Sequence, residues 1–354
     1  MTREHRIAVL AGDGVGAEVV QQALRVLHAA ADAYGFGVAL SEYPHGTEHW
    51  LASGEILPDA VFDEIRGHQA VLLGAIGDPR APVGKIERGI IGRLRWDLDL
   101  YVNLRPIKLL DARFCPLRDK QVQDVDMLFV RENTEGPYVQ PAEFEAEGTP
   151  YEVASQAMRY TRRGTERIIR YAFEQALGRP RRQLTLIDKA NAIRAQDLYT
   201  RVFAEIAQEF PTVETNHFYV DVAAMRMVES PESFDVAVTT NLFGDILTDL
   251  GAALQGGLGL AASANLHPGV MGLFEPVHGS FPQAAGRNVA NPMAAIGAVA
   301  MMLDFLGEDA AARAVEAALA TVLREHVRSL EIGVHATDEL GGLVLRELAA
   351  VAAS

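Results

Sequence analysis

Two aspartates, Asp245 and Asp249, sit four residues apart in NLFGDILTDL (241–250), among Leu, Ile and Phe. On a helix both carboxylates fall on one face, a turn apart, where like charges repel. A hard divalent cation, Mg²⁺ or Mn²⁺, relieves that repulsion. Asp221 in FYVDVAAM, read as the end of a third apolar strand, supplies a further oxygen ligand. N-capping or solvent-facing carboxylates are the plain alternative, and the apolar residues on both sides of the pair weigh against it.

Three arginines, Arg95 in LRWDLDLY, Arg105 in NLRP and Arg131 in FVRENTEG, each fall at or near the end of an expected element. Guanidinium groups bind carboxylates bidentately, so convergence of the three would suit a di- or tricarboxylate; singly, each also fits an ordinary surface. Lys189 in LIDKANAI follows a strand in a segment with few other charges, as a desolvated base or as an exposed lysine. Tyr138 in ENTEGPYV is a proton donor or a packing residue. The stretch FEPVHGSFPQAAGRNVANP (274–292) is dense in Gly, Pro, Asn and Ser, and its main-chain amides and His278 can hold a nucleotide. In AGDGVGAEVV, Gly12, Gly14 and Ala17, with Asp32 downstream, match a dinucleotide fingerprint. Any tight strand-to-helix turn asks for the same glycines.

The elements that must position these residues alternate. Short apolar strands are expected at 7–10, 70–76, 126–130, 183–187 and 235–240. Amphipathic helices are expected at 17–35, 165–177 and 195–210, with another at 92–102 broken by the proline of NLRP. The last hundred residues read as Ala- and Leu-rich helices with Gly-rich connections. This is an α/β pattern with a substantially parallel sheet. The polar, turn-rich 141–154 is a mobile loop or an arm reaching a partner subunit.

With 354 residues the chain has room for two domains, and 49% hydrophobic with 22% charged residues describes a globular protein. A net charge of −15 argues against nucleic acid or an anionic membrane as partner, while a local arginine cluster still admits an anionic substrate. Cys115 is the single cysteine, which rules out an intrachain disulfide. The apolar run near the N-terminus is too short for a signal peptide and 293–303 is too short to span a bilayer, so the expected compartment is the cytoplasm.

Taken in order, AVLAGDGVGAEV, NLRP, VRENTEG, DKAN, FDVAVTTNLFGDILTDL, FEPVHGS and NPMAAIGAVAMMLDFLG resemble the 3-isopropylmalate/isocitrate dehydrogenase family of metal-dependent oxidative decarboxylases. Residues 53–109 look closest to one branch of the isopropylmalate enzymes. The resemblance implies a two-domain α/β fold, not a Rossmann fold, with a parallel or mixed sheet flanked by helices. Residues 1–100 and 256–354 would form the cofactor domain. Residues 101–255 would form the metal, substrate and dimerisation domain, with an arm near 136–160. It implies a dicarboxylate substrate gripped by Arg95, Arg105 and Arg131. Asp245 and Asp249 would be metal ligands from one subunit, with Asp221 and Lys189, ligand and base, from its partner. Tyr138 would be the acid. The active sites of a homodimer would thus be shared. NAD would lie on the 274–292 loop, through Glu275, His278, Gly279, Ser280, Gln283 and Asn291, with the 12–16 turn near the nicotinamide.

Specificity is expected on one helical face carrying Arg88, Ile91, Gly92 and Arg95. Ile91 offers an alkyl contact beside a carboxylate clamp, which suits 3-isopropylmalate and leucine biosynthesis. Gly92 stands where isopropylmalate enzymes typically carry leucine, which would enlarge the pocket or weaken its apolar contact. The same chemistry on D-malate, tartrate, homoisocitrate or another 3-alkylmalate therefore stays open. Gln283 stands where NAD-dependent members usually have aspartate and NADP-dependent members lysine. Arg287 is the nearest cation, and NAD is the expected cofactor. Retention of Tyr138, Lys189 and all three aspartates opposes a non-catalytic role.

Overall fold

The structure, a computed structural model, describes residues 3–353. The backbone divides into two compact units. The first holds the chain up to Leu100, Lys108–Val122 and the chain from Ala252; the second holds Tyr101–Ile107 and Gln123–Gly251.

In the first unit the strands run in the order Gly37–Glu42, Glu4–Gly12, Ala70–Ala75, Met271–Pro276 and Ala262–His267. Neighbours among the first four are parallel; the last is antiparallel to Met271–Pro276, with Ser263 opposite Glu275. Ala70–Ala75 is buried at every residue, so it carries a continuous apolar run rather than an alternating one. The helices Gly16–Tyr34, Met293–Phe305, Asp309–Glu325 and Thr337–Ala352 pack together. Met293–Phe305 is apolar nearly all round and is accordingly almost wholly buried.

In the second unit the order is Val102–Lys108, Asp126–Glu132, Val236–Thr239, Gln183–Asp188 and Glu214–Tyr219, with the last four parallel. Helices Arg162–Gly178, Asp197–Ala207, Val220–Glu229 and Asn241–Leu254 accompany it. A separate antiparallel hairpin, Ala142–Glu145 with Val153–Gln156, is exposed along both strands.

The mixed α/β architecture agrees with the sequence reading, and several elements differ in detail. The helix expected over 92–102 ends at Asp97, and Asp99 takes a φ of 50° that turns the chain. NLRP then lies inside the strand Val102–Lys108 rather than in a break. Asp221 does not end an apolar strand: Glu214–Tyr219 is polar and largely exposed, and Asp221 lies in the first turn of Val220–Glu229. There its charge also complements the positive end of the helix dipole. The hairpin Ala262–Pro276 lies in the stretch read as helices with Gly-rich connections, because ASANLH and MGLFEP are too short to separate a buried strand from a helix by period alone. Segment 108–122, assigned above to the second domain, lies in the first unit. There the Lys108 amide donates to Gln255 Oε1 at 2.8 Å, and Arg113 donates to the carbonyls of Leu323 and Arg324 at 3.1 and 2.9 Å. Among the described residues, no helix is long and apolar enough to cross a membrane.

Candidate active site

The helix Asn241–Leu254 presents Asn241, Asp245, Thr248 and Asp249 along one stripe, at the spacing of successive turns. Two arginines from neighbouring strands meet that stripe. Arg131 is almost fully buried; its Nε and Nη2 donate to Asn241 Oδ1 at 3.0 and 2.7 Å, and its Nη1 donates to Asp245 Oδ1. Arg105, also buried, donates from Nη1 to Thr248 Oγ1 at 2.7 Å and lies 3.7 Å from both Asp245 and Asp249. Asn103, two residues before Arg105 on the same strand face, accepts from its Nε at 2.9 Å and fixes the guanidinium. Gly244 makes this approach possible: a Cβ there would lie 2.6 Å from Arg131 Cγ.

The charges set the protonation states. Partial burial works against ionisation of Asp245, but Arg131 and Arg105 outweigh it and hold its pKa below the ordinary value. Burial and the neighbouring Asp245 charge push Asp249 upward despite Arg105. Asp249 remains the open member of the pair, with its side chain 60% exposed. The Tyr138 hydroxyl donates to Asp245 Oδ2 at 3.0 Å; burial, then the adjacent carboxylate, raises its pKa to about 12, so it holds its proton at neutral pH. Two carboxylates one turn apart, with hard oxygens and a cationic backing, form a donor set that fits Mg²⁺ or Mn²⁺. Lys189 Nζ bonds Asp221 Oδ1 in a separate cluster of this unit, and that bond lowers the aspartate's pKa. Among the described residues no group of three or more His, Cys, Asp or Glu is arranged to hold a metal.

The first unit carries the remaining expected residues. Arg95 Nη2 bonds Glu275 Oε1 at 2.6 Å, and Asn265 Nδ2 donates to the same oxygen at 2.8 Å. Glu275 is thereby tied to Arg95, while Arg95 Nε is buried with no hydrogen-bond partner. A cavity of about 400 Å³ is lined by the glycine-rich 256–260 segment, His278, Gly279, Phe281, Asn291 and Ile332. His278 Nδ1 faces the Gly279 carbonyl at 2.9 Å, and burial lowers its pKa. In the neutral ring the proton therefore sits on Nδ1, since a carbonyl only accepts, and Nε2 is an acceptor. That Nε2 is buried without a partner and offers an acceptor to a ligand in the cavity. Ser280 is otherwise occupied: its hydroxyl donates to the Gly77 carbonyl and its own carbonyl accepts from Val15 N at 2.8 Å. Gln283 is exposed in a single 3₁₀ turn.

The 12–16 turn is a packed junction. A Cβ on Gly12 would sit 2.0 Å from the Ala75 carbonyl oxygen, and one on Gly14 1.9 Å from that of Ser280. Asp13 between them is buried and accepts from Thr47 N, Thr47 Oγ1 and Gly77 N at 2.7, 2.9 and 2.8 Å. The glycines of the apparent fingerprint thus face protein carbonyls.

The family described as isocitrate/isopropylmalate dehydrogenase matches residues 6–344. The chain belongs to this family. A 3-isopropylmalate dehydrogenase of Thermobifida fusca is 47% identical over 350 residues, covering 98% of each chain. One of Frankia casuarinae is 49% identical over 323 residues, covering 90% of this chain and 93% of its own. Among solved structures, an isocitrate dehydrogenase from Methylococcus capsulatus superposes with a TM-score of 0.87 at 36% identity, covering 97% of this chain and 99% of its own. Family membership makes the protein a β-decarboxylating dehydrogenase.

Of the residues singled out from sequence, the structure gathers Arg105, Arg131, Tyr138, Asp245 and Asp249 in the second unit, and pairs Lys189 with Asp221 apart from them. Sequence reasoning overlooked Asn241 and Thr248, although their helical spacing from the aspartates signals them. It also overlooked Glu132. This carboxyl is 1% exposed and accepts from Thr134 N, Thr134 Oγ1 and Glu135 N, each at 2.8 Å; burial raises its pKa to about 7. Nothing in VRENTEG distinguishes that buried acid from an exposed one.

Proposed function

We propose that this enzyme oxidatively decarboxylates 3-isopropylmalate to 2-oxo-4-methylpentanoate with NAD as hydride acceptor, a step of leucine biosynthesis. The observation that carries the reading is the second-unit cluster: two buried arginines, two carboxylates one turn apart and a protonated phenol on one of them. Close relatives bearing the name 3-isopropylmalate dehydrogenase support the substrate.

In the second unit Arg105 and Arg131 bind substrate carboxylate, and in the first the unpartnered Arg95 Nε is a carboxylate donor. Asp245 and Asp249 would hold a divalent cation, which would supply Lewis acidity, and NAD would supply the hydride acceptor. Lys189 in its neutral form takes the substrate hydroxyl proton, and the ammonium so formed is held by Asp221 through their hydrogen bond. Tyr138 returns a proton to the carbon that has lost CO₂. The nucleotide occupies the His278 and Asn291 cavity of the first unit. Lys189 and Asp221 of one copy serve the Asp245 and Asp249 of another in a homodimer. Apolar side chains left at the surface of the second unit support such pairing: Met225, Val228 and Ile246 on its helices, and Phe144 and Tyr151 on or beside the hairpin.

Initial rates with NAD⁺ or NADP⁺ and Mg²⁺ or Mn²⁺ test this, across 3-isopropylmalate, D-malate, isocitrate, homoisocitrate and a bulkier 3-alkylmalate. The highest kcat/KM is expected for 3-isopropylmalate with NAD⁺; preference for another malate overturns the substrate assignment.

A further inference from the structure

Arg95 lies at the end of an irregular helical stretch: Lys85–Glu87 is α-helical, Arg88–Gly92 forms a π-helical turn and Arg93–Asp97 returns to α. The Arg93 amide reaches back five residues to the Arg88 carbonyl. The wider turn takes Arg88 and Ile91 out of α-helical register with Arg95, while Gly92, at the entry to the α-helical Arg93–Asp97, stays within one α turn of it. Ile91 packs against the hydrophobic core of the first unit. Gly92 is buried under Trp96: a Cβ on Gly92 would meet indole Cη2 and Cζ3 at 3.0 Å and Cε3 at 3.4 Å.

This contact follows from helix geometry. A helical side chain covers the turn before its own Cα, so Trp96 must lie over residue 92, and glycine there lets the ring settle onto the backbone. The Arg88 guanidinium carbon lies 5.2 Å from the indole centroid and helps hold the ring in place. Gly92 and Arg95, three residues apart, share a face, so the ring on Gly92 flanks the arginine whose Nε lacks a protein partner. The room a side chain at residue 92 would fill is therefore taken by the indole.

We infer that Trp96, seated on Gly92, is the specificity-determining wall for the substrate's apolar 3-substituent. The inference rests on the reading of Arg95 as a carboxylate grip. A branched alkyl group of a malate held by Arg95 packs against the indole, and an unsubstituted malate forgoes that contact.

Trp50 and Trp96 are the two tryptophans of the chain, so Trp50→Phe leaves Trp96 as the sole indole reporter. Titrating this variant with 3-isopropylmalate and Mg²⁺, without nucleotide, should shift its emission, and D-malate should shift it less. Trp96→Ala should lower kcat/KM for 3-isopropylmalate about tenfold or more, mainly through KM, while changing D-malate far less. Gly92→Leu should also impair the enzyme, and Gly92→Leu/Trp96→Ala should recover much of the loss, because the leucine then fills the vacated space. An unmoved emission at saturation overturns the proposal, as does a substrate ratio within about twofold of wild type in Trp96→Ala. If wild type prefers another substituted malate, the substrate assignment above fails, and the same ratio is read for that malate against D-malate.

Discussion

Gly244→Ala is a small change with a calculable consequence. The new Cβ would lie 2.6, 2.7 and 2.9 Å from Cγ, Cβ and Cδ of Arg131. Ordinary carbon contacts are about 3.5–4.0 Å, so the arginine stem must retreat by roughly 1 Å. A long side chain can swing its tip aside, but Cβ moves only with the backbone, and Arg131 is 2% exposed. Such overpacking costs about 1–3 kcal/mol, and each weakened hydrogen bond of the charged guanidinium adds roughly 1.5–3 kcal/mol. Alanine's better helix propensity returns only about 1 kcal/mol. The net expectation is destabilisation of about 2 kcal/mol or more, a drop in Tm of roughly 3 °C or more for a chain of 354 residues. Displacing the Arg131–Asp245 pair by roughly 1 Å should also cost on the order of 10²-fold in kcat/KM. Gly342→Ala is the control: it lies inside Thr337–Ala352 with nothing within 4 Å of its Cβ, and should hold or raise Tm. Thermal melts and steady-state kinetics on both variants decide the matter. A Gly244→Ala protein at least as stable as wild type, with kcat/KM within about threefold, would refute the packing argument.

Glu132→Gln probes the buried acid. A folded-state pKa of about 7 against an ordinary 4.5 means the native state holds this proton after the unfolded chain has lost it. Stability therefore falls as pH rises from about 4.5 to 7, by roughly 3 kcal/mol from this group. Glutamine should flatten that slope in denaturant melts run between pH 5 and 8; an unchanged slope counts against the assignment. Tyr138→Phe should lower kcat about 10²–10⁴-fold with little change in Tm, and any alkaline limb below pH 9 should persist, since the phenol titrates near 12. Gly14→Ala forces a side chain onto the Ser280 carbonyl at a φ of 58°, and should weaken NADH binding measured by fluorescence titration. Asp245→Asn/Asp249→Asn should abolish Mn²⁺-dependent turnover and weaken Mn²⁺ binding measured by paramagnetic resonance, with the fold retained by circular dichroism.

Much of this protein is written in local order along the chain. The continuous apolar run of AVLLGA and the helical period of TERIIRYAFEQAL announce buried strand and amphipathic helix, because side-chain direction repeats every two residues in one and every 3.6 in the other. The chemistry-bearing residues were also legible: the spacing of Asp245 and Asp249 puts them on one helical face whatever surrounds it. What local order cannot carry is distance through space. ASANLH and MGLFEP become an antiparallel pair only because Ala70–Ala75 receives Met271–Pro276 alongside it, and the 12–16 glycines turn out to face Ala75 and Ser280, far away in the chain. The same limit applies at Trp96. Composition places a glycine and an indole four residues apart, but only the π-helical turn and the packing of Ile91 into the core decide that the ring fills the space above Gly92. Sequence thus determined which groups are available and on which elements. Tertiary structure decided which of them meet, because burial, charge pairing and steric exclusion act between atoms that the chain brings together only when folded.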